Sequence, residues 1–229
     1  MNIEAGGRAM ALPQSQLIFT EEQYLEFERS AEERHEYLDG HIYKMAGESG
    51  EHGDISMNLA VLVGSQLRGT PCRARTKDTK VRSGPLPASP RNTKGLYSYP
   101  DLVVICGEPQ YLDDYRDVVI NPKVIIEVLS DSTSEFDRVI KFDRYRVWSK
   151  TLTDYLLVSQ AQPFIEHFEL RENGEWIYHP YPGLDHEVTI KSINSSLPAA
   201  EVYDRVVFPP EIKEAASRRI KPVKTRRKS

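Results

Sequence analysis

Two carboxylates in the middle of the chain stand beside or within runs of branched aliphatic residues. Asp101 is followed by LVVI, and Glu127 lies within VIIEVL. Short β-branched runs of this kind are typical of strands that are buried on both faces of a sheet. A carboxylate in such a strand is costly unless it is paired, protonated or bound to a cation. One isolated acid on each of two such strands therefore predicts a functional site.

Each acid alone also has a structural explanation. Asp101 could begin its strand at the solvated end, and Glu127 could pair with a nearby Lys or Arg or project from an edge strand. Lys141, on the helix predicted after the second strand, makes the functional interpretation the better one. The alternative for Lys141 is an ordinary ion pair with Asp137, four residues earlier on the same helical stripe.

The residue types indicate the chemistry. Carboxylates with few thiols or histidines favour a hard divalent cation, Mg²⁺ or Mn²⁺, over zinc. Such an ion polarises a phosphoryl oxygen and lowers the pKa of a bound water, and a lysine beside it can stabilise charge on the phosphate. Asp101, Glu127 and Lys141 therefore form a candidate site for phosphodiester cleavage. No Gly-rich phosphate loop, G-x-S-x-G or Cys-His signature in the sequence competes with it.

Two further candidates lie upstream, Glu36 and His52. Asp39-Gly40 between two alternating runs predicts a hairpin, and alternation places Glu36 on the inward face; a solvated edge strand is the alternative. Apolar residues at helical spacing predict a helix over residues 52–68, with His52 at the start of its inner face. A histidine in that position is more often a cap or a packing residue than a ligand.

The remaining elements predict the fold that holds these residues. Thr20 can cap a helix that begins at Glu21, and residues 72–84 predict an exposed basic strand or strand pair. Asn173-Gly174 marks the turn between the last two strands of a meander. Together these elements predict an α/β fold, with a mixed β-sheet and helices packed on both sides.

Length and composition predict one globular domain. The chain has 229 residues, 39% hydrophobic and 28% charged, which is enough for one sizeable core. No run approaches the ~18 consecutive apolar residues of a membrane span, and the first residues lack the pattern of a signal peptide. We expect residues 1–17 to be disordered, residues 18–212 to form the domain and residues 213–229 to form a basic tail.

The net charge of −4 is distributed unevenly. From Lys213 onward the tail holds eight Lys or Arg against the single acid Glu214, so the rest of the chain has 22 basic and 33 acidic residues. Such a tail is either an arm for nucleic acid or a solubilising end. The acidic body counts against a nucleic-acid partner unless several carboxylates gather around a cation.

The two cysteines, Cys72 and Cys106, are far apart and in no metal-ligand spacing. They argue against a disulfide scaffold and against a zinc-thiolate site. They fit the reducing environment of the cytoplasm, which is where we expect the protein.

Four segments together resemble the Uma family, a restriction-endonuclease-like group of the PD-(D/E)XK nuclease superfamily. The segments are HEYLDGHIYKM, EHGDISMNLAVLV, YPDLVVI with VIIEVLSDST, and KFDRYRVW leading into DYLLVS, within residues 18–160. The resemblance implies a restriction-endonuclease-like mixed β-sheet flanked by helices, and it makes Pro100-Asp101 the PD element of the family.

The resemblance also assigns the other site residues. It makes Glu127 the second acid and Glu36 the upstream acid, and it matches His52 to a histidine at the start of the family's second helix. Leu129 stands two residues after Glu127, where the superfamily pattern has lysine. The resemblance therefore implies that Lys141, on the following helix, takes the role of that lysine.

We expect an endonuclease that hydrolyses phosphodiester bonds in DNA or another nucleic acid. Asp101, Glu127 and Glu36 would hold Mg²⁺ or Mn²⁺, and Lys141 and His52 would complete the catalytic set. A homodimer would suit cleavage of both strands, and no membrane partner is expected. The alternative is a catalytically inactive nuclease fold that binds nucleic acid or a protein. The intact set of acids and lysine favours the enzyme, whereas the acidic body favours the binding module.

Overall fold

The computed structural model describes residues 18–85, 91–130 and 134–208. The segments expected at the two ends, residues 1–17 and 213–229, lie outside the described residues, as do residues 209–212 of the expected domain. Within the described ranges no helix is both long enough and apolar enough to cross a membrane.

The helices are α1 (Glu21–Ser30), α2 (Gly50–Gln66), α3 (Phe142–Trp148) and α4 (Ala199–Val202). The first strands are β1 (His35–Leu38), β2 (His41–Lys44), β3 (Cys72–Thr76), β4 (Lys80–Ser83), β5 (Leu96–Ser98), β6 (Leu102–Cys106) and β7 (Val118–Val119). The later strands are β8 (Val124–Leu129), β9 (Asp154–Ser159), β10 (Phe164–Leu170), β11 (Trp176–Pro182), β12 (Glu187–Ile190) and β13 (Ser195–Pro198). A π-helical turn (Phe136–Lys141) precedes α3, and a 3₁₀ turn (Lys191–Ile193) follows β12.

The strands form two mixed sheets and a separate hairpin. The five-stranded sheet has the order β2-β1-β5-β4-β7, in which β4 and β7 run parallel. The six-stranded sheet has the order β11-β10-β9-β8-β6-β3, in which β8 and β9 run parallel. Strands β12 and β13 pair with each other. The predicted α/β fold with mixed sheet and flanking helices is confirmed, with the strands divided between two sheets.

Three clusters of buried apolar side chains hold these layers together. One lies between α1 and the five-stranded sheet and contains Tyr24, Tyr37 and Tyr97. A second lies between the two sheets and α3, and the third lies between the six-stranded sheet and α2, α4 and the β12–β13 hairpin. The six-stranded sheet is therefore covered on both faces, which explains why β6 and β8 are continuous apolar runs.

The structure agrees with the sequence where capping residues and turn residues decide the backbone conformation. Thr20 and Gln23 form a complete capping box at the start of α1. Asp39 and Gly40 take positive φ values of 46° and 95° in the turn between β1 and β2, as a tight hairpin turn requires. Gly174, with φ of 86°, makes the predicted turn between β10 and β11.

The predicted exposed basic strand pair is correct for β3 and wrong for β4. Strand β3 lies at the edge of the six-stranded sheet. Strand β4 lies inside the five-stranded sheet beneath α1, and its Lys80 and Arg82 are buried. The Arg82 guanidinium is compensated there by the carboxylate of Glu21, at 2.9 Å to each of its oxygens. Long-range pairing of this kind leaves no signal in the strand's own sequence.

The expectation that the cysteines argue against a disulfide is also wrong. Cys72 and Cys106 are directly opposite each other in the antiparallel β3–β6 pair, and their sulfur atoms are bonded. The bond ties the edge strand β3 to the strand that follows Asp101. Their separation of 34 residues in the chain hides this proximity, because only the register of the two strands creates it.

Reduction of this disulfide should lower the free energy of unfolding by about 3 kcal/mol, since the unfolded chain is no longer constrained to a closed loop. Urea unfolding with and without dithiothreitol measures the effect. The Cys72→Ala/Cys106→Ala variant is the control and should not respond to dithiothreitol. An equal midpoint for the wild-type protein in both conditions would contradict the pairing.

Candidate active site

The register of two strands places Asp101 beside Glu127. Leu102 pairs with Ile126, and Val103 pairs with Ile125, in the antiparallel β6–β8 pair. Asp101 directly precedes Leu102, and its carboxylate accepts the backbone N–H of Val128, the residue after Glu127. The side chain of Glu127 contacts Lys141 on the face that meets the five-stranded sheet, and that of Asp101 reaches His52 at the start of α2. The two acids predicted from isolated positions in the sequence are therefore neighbours.

Both carboxylate oxygens of Asp101 are held by hydrogen-bond donors. Oδ2 accepts the backbone N–H of Val128 at 2.7 Å, and Oδ1 lies 2.8 Å from Nε2 of His52. His52 reaches Asp101 from the first turn of α2, where its own backbone N–H is capped by the hydroxyl of Ser49. Burial would lower the pKa of His52, but the bond to Asp101 and its charge raise it overall. His52 is thus a partner of Asp101 as well as an early residue of the helix.

Lys141 is buried and surrounded by three carboxylates. Its Nζ lies 2.9 Å from Oε1 of Glu36, 2.9 Å from Oδ1 of Asp137 and 3.4 Å from Oε1 of Glu127. The side chains of all four residues are at least 88% buried. Glu36 comes from the five-stranded sheet and Glu127 from the six-stranded sheet, so one ammonium group bridges both sheets.

Two of these groups, Asp137 and Lys141, lie on the π-helical turn before α3. The backbone N–H of Phe142 bonds to the carbonyl of Asp137, five residues earlier, instead of the residue four earlier. The hydroxyl of Tyr155 donates to the same carbonyl at 2.9 Å. The widened turn keeps Asp137 and Lys141 on one inward side. Single π-turns inside helices are frequent at functional sites.

The electrostatics of the cluster follow from burial and from an excess of acids. Burial raises the pKa of Glu127 well above its ordinary value, and the charges of Asp137, Asp101 and Glu36 raise it further, against the opposing effect of Lys141. Burial also raises the pKa of Glu36. Burial would lower the pKa of Lys141, yet the three carboxylates raise it well above its usual range. Lys141 is therefore a fixed ammonium ion.

The donor atoms have the chemistry of a site for a hard cation. Mg²⁺ is commonly held by one or two protein carboxylates, with waters and substrate phosphates completing its shell, and Asp101 and Glu127 supply such a pair. Among residues 18–85, 91–130 and 134–208, no group of three or more His, Cys, Asp or Glu side chains is arranged to hold a metal ion. Glu36 and Glu127 both contact the ammonium group of Lys141, which lies between them.

Asp137 is the member of the cluster whose place the sequence did not reveal. Its ion pair with Lys141 was the structural alternative for that lysine, and the pair does form, but inside the protein. The sequence signal for the burial of Asp137 is the helical stripe that it shares with Lys141 and Tyr145. Tyr145 is fully buried, so residues on that stripe face the interior. Tyr145 in turn shares a hydrogen bond with Ser98 of the five-stranded sheet.

Comparison with known proteins gives concordant matches. The model of the Uma2 family, described as "Putative restriction endonuclease", matches residues 21–200. Two proteins of Synechocystis sp., slr1290 and sll1609, are 34% and 31% identical to the chain, over 82% and 75% of its length and 92% of theirs. The crystal structure of a "putative nuclease belonging to DUF820" from Anabaena variabilis is similar in fold. Its TM-score is 0.65 at 14% identity, and the match covers 82% of this chain and 99% of that one.

Replacing Lys141 by methionine should lower the free energy of unfolding by about 3–5 kcal/mol, because it leaves buried carboxylates without a counter-charge. Adding Asp137→Asn to that variant should restore part of the loss. Urea unfolding of the two single variants and the double variant measures the coupling.

Lys44→Met is the matched control for this cycle, since Lys44 forms an exposed ion pair with Glu33. That change should have little effect on stability. Losses of similar size for Lys141→Met and Lys44→Met would contradict the structural role given to Lys141.

Proposed function

This chain belongs to the Uma2 family of restriction-endonuclease-like proteins, and on that premise we propose that it is a metal-dependent endonuclease acting on DNA. The observation that carries the proposal is that the carboxylate of Asp101 binds the backbone N–H of Val128, next to Glu127, while Lys141 contacts Glu127. Two neighbouring carboxylates and a lysine are the groups that phosphodiester hydrolysis needs. The nuclease fold of the Anabaena protein supports the same class of reaction.

Asp101 and Glu127 would hold Mg²⁺ or Mn²⁺, with Glu36 beside them. When bound, such an ion polarises the phosphoryl oxygen and lowers the pKa of a water molecule. The protein's part is to fix the ligands in place. His52 and the N–H of Val128 orient the two oxygens of Asp101, and the strand β8 presents Glu127 from a rigid, fully covered sheet.

Lys141 would stabilise negative charge on the phosphate. Its Nζ lies within 4.0 Å of Glu36, Asp137 and Glu127, and the contact of 3.4 Å with Glu127 is the longest of the three. That contact is the one most readily exchanged for a phosphate oxygen or a water. Asp137 and Glu36 would keep the ammonium in position during the exchange, so that it acts as a preorganised positive charge.

The proposal includes a homodimer and a cytoplasmic location. One site in each chain cuts one strand, so cleavage of both strands by a single complex needs two copies. A nuclease for cellular DNA would meet its substrate in the cytoplasm. The Cys72–Cys106 disulfide counts against that location, because cytoplasmic thiols are kept reduced in most organisms.

A second candidate function is a binding module without catalysis. The observation in its favour is that the ammonium of Lys141 already compensates Glu36 and Glu127. A carboxylate cluster that is neutralised internally has less need of a metal ion. Such a module would use the nuclease fold to bind nucleic acid or a protein.

Asp101→Asn and Glu127→Gln should each reduce cleavage by about 10²-fold or more, the cost of removing one group that stabilises charge in the transition state. Supercoiled plasmid and single-stranded DNA with Mg²⁺ or Mn²⁺ are the substrates, and EDTA should abolish the reaction. Cleavage that persists in EDTA would reject the metal mechanism, and no cleavage of any nucleic acid would favour the binding module.

Asp154→Asn is a matched control for these variants. Asp154 is also buried and bonded to a histidine, with Oδ1 2.7 Å from Nε2 of His167. Glu127 pairs with Leu157 in the β8–β9 register, and Asp154 lies three residues before Leu157. The side chain of Asp154 is therefore on the other face of the six-stranded sheet from Glu127. Its replacement should lower the free energy of unfolding and leave the cleavage rate of the folded protein unchanged.

The basic tail, which lies outside the described residues, is part of the proposal as a nonspecific arm. Its eight Lys and Arg have no aromatic residues among them for base stacking. Deleting residues 213–229 should flatten the dependence of log affinity on log salt, without changing preference among sequences. Fluorescence anisotropy at several salt concentrations measures the slope, and an unchanged slope would show that the tail is not an arm.

A further inference from the structure

Most arginines in the described part of the chain have a carboxylate partner. Those with a carboxylate oxygen within 4.0 Å are Arg29, Arg34, Arg82, Arg138, Arg144, Arg146, Arg171 and Arg205. In the same ranges Arg68, Arg73, Arg75, Arg91 and Arg116 have none. Because the body of the protein is rich in acids, an arginine without a carboxylate partner is notable, and two of these five converge on one side chain.

Arg75 and Arg116 both approach the phenol ring of Tyr111. Nη2 of Arg75 donates to the Tyr111 hydroxyl at 2.8 Å. The guanidinium carbons of Arg75 and Arg116 lie 5.6 and 5.0 Å from the centre of the ring. The hydrogen bond from Arg75 and the charge of Arg116 lower the pKa of the Tyr111 phenol. We call this group the arginine pair, Arg75 and Arg116.

Three acids lie within three residues of Arg116 in the chain; two of them are committed elsewhere, and the exposed Asp114 lies more than 4.0 Å from its guanidinium. Asp113 and Asp117 both bind the guanidinium of Arg29 from α1, at 2.7 and 2.8 Å. Asp117 also lies 3.5 Å from the ammonium of buried Lys80. These contacts leave the positive charge of the arginine pair directed at solvent, where Arg116 is exposed and Arg75 is half-buried.

The arginine pair lies beside the candidate active site. Arg75 is opposite Val103 in the β3–β6 register, and Val103 is two residues after Asp101. Strand spacings place the Cα atoms of Arg75 and Asp101 roughly 8 Å apart. Lys77, in the turn after β3, is ion-paired with Glu48. The edge strand therefore presents Arg73 and Arg75 without a carboxylate partner among the described residues, and Arg75 is the nearer of the two to Asp101.

We propose that the arginine pair binds a phosphate of the nucleic-acid backbone adjacent to the phosphate held at Asp101. Guanidinium groups match the geometry of phosphate oxygens and bind them in a bidentate manner. Residues two apart on a strand are about 6.7 Å apart, so Arg73 and Arg75 can follow an extended phosphodiester chain. The inference rests on the proposed nuclease function, which it deepens by naming the surface that positions the substrate.

The class of ligand follows from what the surface offers. It presents guanidinium charge along a strand at the edge of the six-stranded sheet. Contacts of this kind position the nucleic-acid backbone and do not read its sequence. Binding at the arginine pair should therefore be independent of base sequence and strongly dependent on salt.

The test compares Arg75→Gln and Arg116→Gln with Arg68→Gln in the full-length protein. Arg68 also has no carboxylate partner, but it follows the C-terminal end of α2, the end opposite to His52. Binding of fluorescein-labelled single- and double-stranded oligonucleotides is measured in EDTA at several salt concentrations, so that cleavage does not intervene. The magnitude of the slope of log affinity against log salt should fall with each variant of the arginine pair, and by about 0.7–0.9 when both arginines are replaced. Arg68→Gln should leave the slope unchanged.

Arg75→Lys is the control for a loss of structure. It keeps the positive charge, so its slope should stay close to that of the wild-type protein. If Arg75→Gln and Arg116→Gln have the slope of Arg68→Gln while the wild-type protein binds and cleaves DNA, the inference is wrong and the proposed function stands. If the slopes fall as expected but no cleavage occurs, the inference stands and the catalytic proposal fails. Competition by polyglutamate as strong as that by an oligonucleotide would overturn the inference in favour of an acidic protein partner.

Discussion

The burial of one ammonium group among three carboxylates is the constraint on which the centre of this structure depends. Glu36, Asp137 and Glu127 reach Lys141 from the five-stranded sheet, the π-helical turn and the six-stranded sheet. None of these charges could be buried alone, because the desolvation of an unpaired ion costs more than a small domain can lose. The ion cluster therefore fixes how the two sheets and α3 are placed relative to one another.

The same cluster is unbalanced in charge. With Asp101 there are four acids around one lysine and one histidine, and the pKa of Glu127 is raised for that reason as well as by burial. An arrangement built only for stability would match its charges or replace them with apolar residues. An excess of buried carboxylate is instead favourable for a cation, which the proposed nuclease function requires.

The sequence was sufficient for those parts of the structure that local chemistry decides. Isolated acids in β-branched runs located Asp101 and Glu127, strand alternation turned Glu36 inward, and the Asp39-Gly40 pair located the first hairpin. It was insufficient wherever distant segments meet. The pairing of Cys72 with Cys106 and the burial of Lys80 and Arg82 result from strand order and register, which no short segment encodes. The burial of Asp137 depends on a π-turn that Tyr155, 18 residues later, helps to hold.

The most direct measurement of the central claim is a crystal structure with Mn²⁺ and a non-cleavable DNA analogue, with data collected to show the anomalous scattering of manganese. The account predicts an anomalous peak between the carboxylates of Asp101 and Glu127, with Lys141 still bound to Asp137 and its contact to Glu127 replaced by a phosphate oxygen or water. Saturating Mn²⁺ without a peak at this position, and with Lys141 still in contact with Glu36 and Glu127, would contradict it.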